Sequence, residues 1–226
     1  MNDYVISPPS LASVPVAGST ARFPVRRVYC VGRNYADHAL EMGVDPRAEE
    51  PFFFCKPADT VVSSADGVVD VPYPSATTNL HHEVELVVAI GEAGSVWGYA
   101  VGIDMTRRDL QQAMRKQGKP WEIGKTFERC APIGPIHPRE QVGELARGRI
   151  ELQVGGQRRQ ASDLGKLIWS VPEIIAALSK YYTLQPGDLI FTGTPEGVGP
   201  VQVGDELVAA IESLGELRVR ITEAAR

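Results

Sequence analysis

Hydrophobic and polar positions in this chain fall into short runs, punctuated by glycine and proline, that read mostly as strands. Arg27 to Val31 alternates and is rich in β-branched residues, and Gly32 breaks it into a stretch of good helix formers from Ala36 to Met42. Phe52 to Cys55 is a short apolar strand. Glu83 to Ile90 runs Glu-Val-Glu-Leu-Val-Val-Ala-Ile into Gly91, the profile of a buried strand with two acids at its start, and Val96 to Asp104 is its expected partner. Thr106 stands three residues before Asp109, a capping-box spacing that predicts a helix to about Lys116, ended by Gly118 and Pro120.

The second half repeats these signals. Ile150 to Val154 followed by Gly155-Gly156 predicts a hairpin, because paired glycines supply the positive φ angles of a two-residue turn. Ser170 and Glu173 form a second capping box, with Pro172 in the first turn and an apolar stripe of Ile174, Ile175, Leu178 and Tyr181. Pro186-Gly187-Asp188 turns into a strand over Leu189 to Thr192, and Glu206 to Ile211 pairs with Glu216 to Ile221 around Leu214-Gly215. Residues 1–21, rich in Pro, Ser and Ala, read as an N-terminal arm with order beginning near Phe23, so residues 22–226 form the expected domain, of α+β, mainly β class.

With 43% hydrophobic residues in 226, the chain has enough apolar surface for one core without disulfides. Its net charge of −5 provides no basic field for nucleic acid. Cys30, Cys55 and Cys130 are odd in number and widely spaced, which fits reduced packing residues. Met1 to Ala21 contains Asp3, several prolines and no continuous apolar stretch, so neither a secretory signal nor a membrane anchor is expected and the compartment is cytoplasmic.

Glu83 and Glu85, at i and i+2 of a strand, project from one face, and two like charges in an apolar strand call for a cation unless the strand is an edge facing water. Asp104 ends the neighbouring apolar strand, so three carboxylates can converge. All-oxygen ligation suits Mg2+ or Mn2+, and His81 and His82 leave a zinc or iron site as the rival. His38 and Glu41, three apart in a helical stretch, read either as a general-base pair or as a surface pair. Lys125 reads as a loop lysine or as a buried cation facing an anionic substrate. Thr192-Gly193-Thr194-Pro195 could hold a carboxylate through backbone N–H groups, although glycine-rich turns usually hold nothing.

Together these pieces resemble the fumarylacetoacetate hydrolase superfamily, in its short branch of acylpyruvate hydrolases, fumarylpyruvate hydrolases and oxaloacetate decarboxylases. The similar strings are Cys30-Val31-Gly32-Arg33-Asn34-Tyr35-Ala36-Asp37-His38, Phe54 with Lys56-Pro57, Asn79-Leu80-His81-His82-Glu83-Val84-Glu85-Leu86, Asp104-Met105-Thr106, Pro120-Trp121, Gly124-Lys125, and Gly187-Asp188-Leu189-Ile190-Phe191-Thr192-Gly193-Thr194-Pro195. The resemblance implies a mixed β-roll of that family's C-terminal domain type and a homodimer. It also implies a metal on Glu83, Glu85 and Asp104, a water-activating dyad of His38 and Glu41, and a substrate-binding Lys125. Arg108, Gln111 and Thr194 match positions that contact the substrate acid, while Arg107 departs from relatives that carry a small residue there.

The implied ion is Mg2+ or Mn2+, with Ca2+ as what a crystal could hold instead. The implied reaction is hydrolysis of the C3–C4 bond of a small 2,4-dioxo acid, an acylpyruvate such as fumarylpyruvate from aromatic-compound catabolism, to pyruvate and a carboxylic acid. Oxaloacetate decarboxylation, isomerisation of a 2-oxo-diene acid, and metal binding without catalysis are the alternatives. Arg47, Arg107 and Arg108 are candidates for a distal carboxylate. The segment from Gly32 to about Glu50 is expected to be mobile and to close over bound acid.

Overall fold

The structure is a computed structural model that describes residues 4–35, 47, 49–64 and 67–224. Its chain begins with an antiparallel pair, β1 (Ser13–Pro15) and β2 (Arg22–Pro24), in which Val14 lies opposite Phe23. Order therefore starts before Phe23, inside the expected arm. A three-residue strand is too short to show a period, but Val14 and Val16 are buried and act as core residues.

The elements that follow are β3 (Arg27–Gly32), β4 (Phe52–Lys56), β5 (Val61–Val62), β6 (Val68–Pro72), β7 (Leu80–His82), β8 (Val84–Ile90), β9 (Val96–Ile103) and β10 (Thr106–Arg107). Two helices, α1 (Arg108–Lys116) and α2 (Glu122–Lys125), lead to β11 (Ala131–Pro132), β12 (His137–Pro138) and α3 (Arg139–Val142). The chain closes with β13 (Arg149–Val154), β14 (Gln157–Asp163), α4 (Val171–Ser179), β15 (Asp188–Phe191), β16 (Gly199–Pro200), β17 (Glu206–Ile211) and β18 (Gly215–Thr222). The expected helix over Ala36 to Met42 lies outside the described residues.

Two mixed sheets carry the fold. One has the order β12-β9-β8-β15-β3-β4 and the other β14-β13-β17-β18-β6, with a short three-stranded sheet β10-β7-β16 beside them. β15 runs antiparallel to β8 and parallel to β3, and β18 runs parallel to β6, so strands from opposite ends of the chain meet in both large sheets. Leu86, Val88, Tyr99 and Val101 belong to a core with Leu152, Leu207, Ala209 and Leu217 of the other sheet. On the opposite face, Val87, Ala89, Ala100, Leu189 and Phe191 cluster with Val14, Val16, Phe23 and Ile136. The six-stranded sheet is thus covered on both sides, which is why β8 is buried along its whole length and is apolar at every position but Glu85 rather than alternating.

Several predicted elements form as read. The two hairpins β13–β14 and β17–β18 close at Gly155-Gly156, with φ of 55° and 77°, and before Gly215. At α4 the Ser170 backbone N–H and hydroxyl donate to Glu173 Oε2 at 2.8 and 2.6 Å, completing the capping box. Tyr181 leaves the predicted stripe, lying beyond the helix and exposed. The first capping box does not form. Thr106 pairs with His81 across β10 and β7, and Asp109 instead accepts from the Thr77 hydroxyl and the Thr78 backbone N–H. Strand pairing and a tertiary partner outcompete a local cap. Among the described residues no helix is long and apolar enough to cross a membrane.

Candidate active site

Glu85 sits in β8 opposite Gly102 of β9, where any Cβ would stand 2.5 Å from a Val87 methyl and 2.7 Å from the Phe191 ring. Only glycine lets the two strands and Phe191 pack this closely next to the acid. Glu83 occupies the break between β7 and β8, not the regular strand that its spacing predicts. Its carbonyl accepts from the Asp104 backbone N–H at 2.8 Å, and this bond docks the end of β9 against the break. One carboxylate oxygen from each of Glu83, Glu85 and Asp104 lies within 4.8 Å of the others, and all three residues are buried.

Buried acids at this spacing require cations. Lys125, at the end of α2, sends its ammonium to Glu83 Oε2 at 2.7 Å, Asp104 Oδ2 at 2.7 Å and the Thr106 hydroxyl at 2.8 Å. Lys56, at the end of β4, lies 2.9 Å from Asp104 Oδ1 and 3.2 Å from Cys130 Sγ, and donates to the Lys125 carbonyl. Arg108 donates to Glu83 Oε1 and, at 2.6 Å, to Gln111 Oε1. Glu85 accepts from the Gly193 backbone N–H at 2.7 Å, which fastens the loop after β15 to the cluster.

The charge balance shifts the site's protonation. Burial first, then the neighbouring Asp104 and Glu83, push the Glu85 carboxyl well above its ordinary range. Burial also opposes ionisation of Asp104, but the ammoniums of Lys125 and Lys56 outweigh it and hold that carboxyl below its usual value. The same pairing overcomes burial at both lysines and keeps them protonated.

Three hard oxygen donors in one cluster fit a divalent cation such as Mg2+ or Mn2+. Two features of the cluster support the fit. Asp104 Oδ1 is buried and faces Lys56 by charge but outside hydrogen-bond geometry, so it keeps a lone pair for a cation. Glu85, with its raised pKa, is crowded by like charge that a cation relieves.

The histidines stand apart from this group. His81 accepts from Arg108 Nε at 3.4 Å and bonds Asn79 at 2.9 Å, with burial and Arg108 lowering its pKa to about 4. His82 turns the other way, to Gln160, and neither ring joins the carboxylate cluster. Lys125, Arg108 and Gln111 are brought to the acids, and Thr194 follows Gly193 in the adjoining loop. His38 and Glu41 lie outside the described residues, as does most of the segment expected to close over the site.

Arg47 bonds Glu173 at 3.0 Å and the Ile168 carbonyl at 2.7 Å and stacks on Trp169. Arg107 stacks 4.6 Å above Phe127 and reaches the Ile123 carbonyl. Of the three arginines read as candidates for a distal carboxylate, only Arg108 touches the cluster.

Sequence reasoning assigned no role to Lys56 or Gln160. A lysine closing the apolar strand Phe-Phe-Phe-Cys-Lys was the available signal for the first. The second gave none, because Gln157 to Asp163 reads as a solvated edge.

A family model described as fumarylacetoacetate (FAA) hydrolase C-terminal matches residues 27–222. A fumarylpyruvate hydrolase of a Ralstonia species is 46% identical over 191 residues, covering 80% of this chain and 97% of that one. The oxaloacetate tautomerase YcgM of Escherichia coli (strain K12) is 39% identical over 206 residues, covering 86% and 92%. Among solved structures, fumarylpyruvate hydrolase from Pseudomonas aeruginosa, in complex with Mn2+ and pyruvate, matches with a TM-score of 0.93 and 55% identity, over 98% of this chain and 100% of that one.

Proposed function

Since the chain belongs to the fumarylacetoacetate hydrolase family, we propose that it is a metal-dependent hydrolase that cleaves the C3–C4 bond of an acylpyruvate, with fumarylpyruvate as the best candidate, to pyruvate and a carboxylic acid. The observation that carries this reading is the buried cluster of Glu83, Glu85 and Asp104 with the Lys125 ammonium held against two of its members. Residues 22–226 would be the catalytic domain of a cytoplasmic homodimer.

Mg2+ or Mn2+ on the three carboxylates would supply an electrophile for the 2-oxo acid and stabilise the enolate that departs as pyruvate. The Lys125 ammonium adds a fixed positive charge beside that developing oxyanion. Arg108 and Gln111, already hydrogen-bonded to each other at 2.6 Å, present guanidinium and amide donors for the substrate acid. Thr194 would add a hydroxyl from the loop after β15. His38, oriented by Glu41, would take the proton of the attacking water.

A test is to supply the purified protein and Mn2+ with fumarylpyruvate, following loss of enol absorbance together with release of fumarate and pyruvate. Absence of fumarate would overturn fumarylpyruvate as the substrate, and failure to cleave acetylpyruvate as well would overturn the hydrolase reading. The oxaloacetate tautomerase among the relatives favours a second reading, keto–enol interconversion of oxaloacetate on the same cluster. That reaction moves a proton and breaks no carbon–carbon bond, so a faster change in enol absorbance with total oxaloacetate conserved and no pyruvate formed distinguishes it from both hydrolysis and decarboxylation.

A further inference from the structure

β14 is one edge of the five-stranded sheet, and its side chains largely face outward except for Gln160, which is 1% exposed. Its ladder with β13 slips after Leu152, so that Leu152 pairs with Gln160 while Gln153 pairs with Arg158, and Arg159 is left over. A bulge of this kind re-aims the neighbouring side chain. The Gln160 amide reaches out of its own sheet to two places, the break between β7 and β8 and the loop after β15.

Its four hydrogen bonds determine one another. The Val84 backbone N–H can only donate, so Gln160 Oε1, 3.1 Å away, must be the acceptor. The Pro195 carbonyl can only accept, so the nitrogen lying 2.9 Å from it must be Nε2. With the amide so oriented, the His82 Nδ1 at 2.9 Å from Oε1 carries the proton, and the second Nε2 proton goes to the Thr194 hydroxyl oxygen at 2.8 Å. Thr194 is therefore an acceptor in this bond. Its own proton has no acceptor among the described residues and is free to point elsewhere, on a loop whose preceding residue is bonded to Glu85.

We infer that Gln160 is a positioning residue for the active site: by donating to Thr194 it commits that hydroxyl to donate its proton to an anionic oxygen of the substrate. This rests on the acylpyruvate reading and adds to it a residue from the second sheet that touches neither metal nor substrate. A hydroxyl left free to rotate could equally turn its lone pairs toward the carboxylate and repel it. Gln160 removes that option before the acid arrives, which is preorganisation in the sense of a fixed donor.

The test measures pyruvate binding by calorimetry at saturating Mn2+, alongside Mn2+ binding itself. The carboxylate introduced by Gln160→Glu offers lone pairs where the amide offered protons, so the Thr194 hydroxyl turns to it and is withdrawn from the site. Gln160→Glu and Thr194→Val should each weaken pyruvate binding by about tenfold or more, the range of a hydrogen bond to a charged group, with Mn2+ affinity unchanged. Because the two act through one proton, the double variant should bind no more weakly than Thr194→Val alone. Thr194→Ser, which keeps the hydroxyl, should bind as the parent does.

Parent-like affinity in Gln160→Glu, or losses that multiply in the double variant, would overturn the inference. If Gln160→Glu does not fold, Gln160→Met, which removes the donor and leaves the Thr194 hydroxyl free to rotate, takes its place: weaker pyruvate binding at unchanged Mn2+ affinity supports the inference, while parent-like affinity in Gln160→Met or full affinity in Thr194→Val refutes it. Failure of the unmodified protein to bind pyruvate with Mn2+ would sink the acylpyruvate reading itself.

Discussion

Asp104 depends on partners that lie far from it in sequence, Lys56 and Lys125. Removing Lys56 leaves a buried carboxylate with half its compensation, so Lys56→Met should destabilise the protein by on the order of 3 kcal/mol. Mn2+ should restore more of that loss than it adds to the parent, because the ion replaces the missing charge. Urea unfolding with and without Mn2+ measures both. Glu83→Gln, Glu85→Gln and Asp104→Asn should each weaken Mn2+ binding, with double variants showing less than the sum, since the three serve one ion. A residue whose amide variant binds Mn2+ normally is not a ligand. His38→Ala should cut hydrolysis of fumarylpyruvate by about 10²–10⁴-fold, the worth of a general base, while sparing more of any oxaloacetate decarboxylation, which needs no activated water. Equal losses in both reactions would give His38 a different role. At this scale the acids were legible because charges set into apolar runs are a local signal, although Glu83 stands at a strand break and not in the alternation that its spacing predicts. Lys56 was not, because nothing near it in the chain says that Asp104 waits across the sheet.

Elements were legible where their signals are self-contained. The capping box at α4 succeeds because Ser170 and Glu173 meet no competing partner strong enough to pull them apart, whereas Thr106 and Asp109 carry the same spacing and are claimed by β7 and by Thr77. Ser170→Ala should therefore cost about 1 kcal/mol by thermal or urea unfolding, the usual worth of an N-cap. The same box sets a pH dependence. Hydrogen bonds from Ser170, then Arg47, lower the Glu173 pKa from 4.5 to about 2 in the folded state. A carboxyl depressed on folding stabilises above its unfolded value and loses that contribution as pH falls through the folded one. The contribution of α4 should thus be constant above about pH 5 and decline from there toward pH 2, with a modest amplitude because Glu173 is partly solvated. Melting temperatures of the parent and Ser170→Ala should converge over that range. If the gap between them is the same at pH 7 and pH 2.5, the box is not what lowers the Glu173 pKa.

At the scale of the molecule, a divalent ion that binds only the folded cluster raises stability by mass action. Mn2+ at a hundred times its dissociation constant adds about 2.7 kcal/mol, or roughly 5–11 °C in a chain of this size. A chelator should reverse the shift, and an unchanged melting temperature across an Mn2+ titration would mean that the acids do not bind the ion. The order of strands in the two sheets could not be read from periodicity, which reports which face is buried but not what buries it.

That strand order also has a consequence in time. Residues 27–30 in β3 pair with 188–191 in β15, and residues 68–72 in β6 pair with 218–222 in β18. A chain leaving the ribosome would therefore expose early strands whose neighbours have not yet been made, and the cost of closing such long loops falls before any ladder forms to offset it. Refolding should be slow, in the millisecond-to-second range typical of such topologies, and the ability to bind Mn2+ should return only with the final phase. A chain cut before Gly215 would leave β6 without its partner in the sheet and one side of β17 open, edges prepared for another copy's strand, and should aggregate rather than fold.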